Sequence, residues 1–87
     1  RFRLASRIEN SIFGFQEIIL NANRTLPRLP LLKQADLELE KFRLYIRLSV
    51  ELRYMSFQQY EHAVRLANEV GKLLGSWIKV SNTAGTG

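Results

Sequence analysis

The stretch from Gln34 to Tyr54, QADLELEKFRLYIRLSVELRY, contains no glycine or proline and spaces its apolar residues by threes and fours. That spacing aligns them in stripes along a 3.6-residue helix, whereas a strand would need strict alternation. Leu37, Leu44, Leu48 and Leu52 supply one stripe, and Leu39, Phe42, Ile46 and Val50 a second beside it. Asp36, Glu40, Arg43, Arg47 and Glu51 line the remaining side. The local alternation in LELEKF mimics a strand, but the length of the segment and its charged row at helical spacing decide for a helix.

Its flanks read the same way. Residues 1–23 place Leu4, Ile8, Ile12, Phe15, Ile19 and Ala22 on one helical face, with Arg3, Arg7, Asn10, Gly14, Glu17, Asn21 and Arg24 in the opposite register. Pro27 and Pro30 then make RTLPRLPLLK a connector, because each proline removes an amide donor and disfavours helix at the residue before it. Ser56 and Gln59 have the spacing of a capping box, with Met55 and Tyr60 placed for a hydrophobic staple. A third helix is predicted from Phe57 to Val80, with Tyr60, Val64, Ala67, Gly71, Leu74 and Ile78 as its apolar row. These segments make a single helical domain over residues 1–80, with helices at about 1–23, 34–54 and 57–80, and a flexible tail at 81–87. The chain opens inside a helical pattern with no N-cap ahead of it, so a missing N-terminal portion is expected.

At 87 residues, such a domain buries only about 60% of the surface its unfolded chain exposes, which favours self-association. The absence of cysteine excludes disulfides, thiolate metal sites and a cysteine nucleophile. No apolar run nears the roughly 20 residues needed to cross a bilayer, and no charged-then-apolar leader opens the sequence; a cytoplasmic protein is expected. Thirteen basic against eight acidic residues give a net charge of +5, which favours an anionic partner such as nucleic acid.

Candidate catalytic groups are sparse. Gly71-Lys72 and Gly75-Ser76 echo a phosphate loop, but Leu73 follows the lysine and no strand precedes either pair. A helix-interior glycine costs roughly 1 kcal/mol relative to alanine, and close approach of a second helix at Gly71, with Gly75 and Trp77 beside it, would offset that cost. His62 is the lone histidine and has no partner at metal spacing. The carboxylates Asp36, Glu38, Glu40 and Glu51 lie within helical reach of Lys41, Arg43 and Arg47, as ordinary surface pairs do. Catalytic, cofactor and metal sites are therefore not expected, nor is a small-molecule substrate. The basic residues are more informative. Arg65, Lys72 and Lys79 recur at seven-residue steps, Arg43 and Arg47 stand one turn apart, as do Arg3 and Arg7, and Arg24, Arg28 and Lys33 bracket the connector. Phosphate contacts need positive charge but no fixed geometry, so these rows are candidate nucleic-acid contacts. Tyr45, Tyr54 and Trp77 lie on or beside apolar rows, which favours packing over stacking on bases.

The order and spacing of LELEKFRLYIRL, SFQQYEHA and EVGKLLGSWIK resemble the accessory variability determinant (Avd) of diversity-generating retroelements. More broadly, the chain is similar to the four-helix-bundle proteins encoded by intervening sequences in bacterial 23S rRNA genes. The resemblance implies an antiparallel, up-and-down four-helix bundle, here lacking part or all of its first helix, that assembles into a homo-oligomeric ring, a pentamer. It implies a non-enzymatic accessory protein that binds a reverse transcriptase and its template RNA, or an RNA/DNA hybrid, through a basic surface to support mutagenic reverse transcription. Arg43 and Arg47 match basic family positions and are implied RNA or polymerase contacts; Arg65, Lys72, Lys79, Arg24 and Arg28 join them on charge alone. The alternative is a structural homo-oligomer with no nucleic-acid partner.

Overall fold

The computed structural model describes residues 2–83. Three helices, α1 (Phe2–Ala22), α2 (Leu29–Glu51) and α3 (Phe57–Thr83), account for nearly all of them, and no strand occurs among the described residues. The fold is all-α. α2 begins at Leu29, ahead of the expected Gln34, because Pro30 occupies its first turn. There a proline gives up an amide that has no intrahelical partner, and its fixed φ suits the helix. The connector shrinks accordingly to residues 23–28 and contains a cis Leu26–Pro27 peptide bond.

α2 stops at Glu51, short of the expected Tyr54. Arg53 takes a left-handed φ of 64°. The Tyr54 amide donates to the Ser49 carbonyl at 2.8 Å and the Arg53 amide to the Val50 carbonyl at 3.1 Å. This is a Schellman ending, with arginine where glycine is usual. Two residues later α3 starts on the predicted capping box. The Ser56 amide donates to Gln59 Oε1 at 3.0 Å and the Gln59 amide to Ser56 Oγ at 3.1 Å. Met55 and Tyr60 are half-buried, and the Tyr60 ring tilts against Phe57. α3 runs past the expected Val80 to Thr83 and buries Ser81, so the start of the predicted tail is helical; residues 84–87 lie outside the described residues.

The short connections make successive helices antiparallel, and α2 is the middle one. α1 and α3 each pack along α2, yet no Cα of α1 comes within 8 Å of one in α3 among the described residues. The result is an open layer of 45 × 21 × 14 Å. The described residues form a three-helix arrangement. The driest part lies beside the connector, where Ala22, Leu32, Ala35 and Leu74 form a buried cluster against Phe15, Ile18, Ile19, Leu31, Trp77 and Ile78. Full burial of a side chain such as Leu32 is worth about 1.5–3 kcal/mol.

The two stripes of α2 have opposite fates. Leu39 and Ile46 of one are 6% and 1% exposed, whereas Leu37, Leu44, Leu48 and Leu52 of the other are 56%, 52%, 37% and 55% exposed. On α1 the polar register is also not wholly solvated: Arg7 covers the Tyr45 ring and Gly14 abuts Glu38, both on α2. Between α1 and α3, above α2, runs an apolar groove of about 270 Å³ lined by Ile12, Phe15, Leu39, Phe42, Leu66 and Val70, among others.

Candidate nucleic-acid interface

Each seam of α2 sets a charged side chain against a glycine. Toward α3, the Arg43 guanidinium lies where a Cβ on Gly71 would stand, 2.8 Å from Nη2, with Leu39 Cδ2 at 3.4 Å. From there Arg43 Nη2 donates to the Ala67 carbonyl at 3.3 Å and to Asn68 Oδ1 at 3.5 Å, while Nη1 pairs with Glu40. Gly71 is thus at a helix seam, and what fills its space is an arginine. Gly75 is not: a Cβ there would meet no heavy atom within 4 Å. Toward α1, Glu38 Oε1 stands 3.0 Å from where a Gly14 Cβ would be, and Glu38 Oε2 accepts from Lys41 Nζ at 3.0 Å.

The basic residues divide by what holds them. Arg43 bridges α2 to α3, and Arg47 pairs with Glu51 at 3.5 Å, so both cations implied as contacts already face carboxylates of their own helix. Arg65 and Lys72 are exposed on α3 and have no ion pair among the described residues. Lys79 is exposed near the end of α3. At the connector Arg24 is exposed, whereas Arg28 is half-buried with its guanidinium 5.7 Å from the centre of the Trp77 ring. Arg28 Nε is buried without a hydrogen-bond partner, so Arg28 and Trp77 form a packing pair that ties the start of α2 to α3.

A second basic feature lies on the other side of α2. Arg3, Ser6, Arg7 and Asn10 of α1 face Glu38, Lys41 and Tyr45 of α2 across a cleft of about 460 Å³. The Arg7 guanidinium carbon sits 6.0 Å from the Tyr45 ring centre, within cation–π range. The sequence shows the Arg3/Arg7 row but not its partners, because the register of α1 on α2 is what brings Lys41 and Tyr45 opposite.

Among the described residues no group of three or more His, Cys, Asp or Glu side chains is placed to hold a metal ion. No described helix is long and apolar enough to cross a membrane. A family model described as bAvd-like matches residues 1–81. The chain belongs to the bAvd-like family. No curated protein and no solved structure matches it. The matched span takes in α1, α2 and nearly all of α3, so both basic faces of this bAvd-like protein, and both glycine seams, fall within the family's extent.

Proposed function

We propose that this bAvd-like protein is a non-enzymatic accessory subunit of a diversity-generating retroelement, binding the reverse transcriptase and its template RNA through basic surfaces to support mutagenic reverse transcription in the cytoplasm. Family membership over residues 1–81 is the observation that carries the reading. A net charge of +5 supports it, since a positively charged domain draws a polyanion from a distance. The open apolar groove supports a completed four-helix bundle, with a fourth helix seated between α1 and α3 against Ile12, Leu66 and Val70. The exposed Leu37, Leu44, Leu48 and Leu52 stripe supports a homo-oligomer, a pentameric ring, in which that row meets a neighbouring subunit. The test is co-purification with a reverse transcriptase encoded beside its gene. A stable complex is expected; the lack of such a neighbour, or a polymerase that does not bind, would contradict the reading.

One observation favours a second reading. Arg43 and Arg47 are each paired with a carboxylate, and the leucine stripe offers an apolar contact, as a purely structural homo-oligomer would. That reading expects assembly without RNA affinity.

A further inference from the structure

We infer that the cleft between α1 and α2 is a binding site for the sugar-phosphate backbone of single-stranded RNA, with Arg3 and Arg7 engaging successive phosphates. The inference rests on the RNA-binding reading and moves its centre away from Arg43 and Arg47. Arg3 and Arg7 stand one helical turn apart, about 6 Å along the axis, and neither has a carboxylate partner among the described residues. The acid in the cleft, Glu38, is neutralised by Lys41 at 3.0 Å and turned against Gly14, so an entering phosphate meets two uncompensated guanidiniums. On the opposite face an anion must first displace Glu40 from Arg43 or Glu51 from Arg47, which weakens any contact there.

Pre-organisation points the same way. Tyr45 is half-buried and holds the Arg7 guanidinium over its ring. Arg7 therefore loses less side-chain freedom when a phosphate arrives. Arginine presents a fork of donors that matches phosphate geometry. Ser6 and Asn10 line the same cleft with neutral groups able to hydrogen-bond a ribose hydroxyl. A trough between two helix ridges admits one strand, whereas a duplex presents its phosphates on a broad convex surface. Single-strand sites of this kind combine a basic groove with an aromatic side chain.

The experiment is fluorescence-anisotropy binding of a labelled single-stranded RNA oligonucleotide to the full chain, its double variant Arg3→Gln/Arg7→Gln, and the control Arg65→Gln/Lys72→Gln, each across a salt series. Circular dichroism melts establish that the variants remain folded; the substituted side chains are all exposed. Removing Arg3 and Arg7 is expected to weaken binding at least about tenfold and to reduce the slope of log affinity on log salt by roughly 1.4, near 0.7 for each lost phosphate contact. The control is expected to lose less. Binding that survives the loss of Arg3 and Arg7 while the control abolishes it overturns the cleft and leaves the RNA reading in place. No binding by the unaltered chain at low salt overturns both.

Discussion

Two apolar stripes of one helix, offset by two residues, end in different surroundings. Leu39 and Ile46 are buried, while Leu37, Leu44, Leu48 and Leu52 stay 37–56% exposed along the same α2. The second set is only partly covered within the protomer, where Leu48 and Leu52 line a cleft with Leu4 of α1, and apolar surface left exposed in a contiguous patch marks an interaction site. Under the proposed homo-oligomer α2 would serve two partnerships: the inner stripe holds the protomer together, and the outer stripe would meet a neighbouring subunit.

The sharpest way to break that comparison is to truncate one side chain in each stripe. Ile46→Ala should cost about 2–5 kcal/mol, the loss of transfer energy plus a cavity. In a domain this small that removes much of the total stability. Leu44→Ala should cost within about 0.5 kcal/mol when the protein is dilute, as exposed positions do, and its cost should grow with protein concentration if the outer stripe is an interface. Urea melts at two concentrations read both effects; equal losses at Ile46 and Leu44 would erase the distinction.

A stabilised background sharpens the contrast by keeping the Ile46 variant measurable. Gly75→Ala should add up to about 1 kcal/mol, the helix-propensity gain, because nothing stands within 4 Å of the new Cβ. Gly71→Ala should gain less, since its Cβ forces the Arg43 guanidinium away from Ala67 and Asn68. Thermal melts of the two variants rank them; a larger gain at Gly71 would contradict the seam. A small effect is also expected at the end of the outer stripe. Arg53→Gly relieves a left-handed residue costing about 1–2 kcal/mol and gives part of this back as glycine entropy. The net gain should be roughly 0.5 kcal/mol, read as a small rise in melting temperature.

These particulars show what the amino-acid order encodes locally and what it leaves to packing. The Ser56–Gln59 capping box and the Glu38–Lys41, Glu40–Arg43 and Arg47–Glu51 pairs follow from spacings of three and four residues, so they were legible. The start of α2 was not, because a proline that breaks a helix interior also suits a first turn. Nor could hydropathy rank the two stripes, since both are apolar and only the docking of α1 and α3 chooses between them. The same holds for the candidate site. Arg43 and Gly14 read as members of solvated rows, and it is the register between helices that sets Arg43 into the Gly71 gap and Glu38 against Gly14. One practical consequence is that charge reversal at Arg43 loosens the α2–α3 seam as well as changing the surface. Arg47, 70% exposed, is the cleaner probe of that face.

We propose that the protein self-associates and that the assembly engages RNA, which is tested most directly by binding of the full chain to a labelled structured RNA across a salt series, with light scattering on the same sample to count subunits. The expected result is an oligomer whose RNA affinity falls steeply as salt rises, in proportion to the phosphates contacted. A monomer, or an oligomer with no affinity for RNA even at low salt, would contradict it.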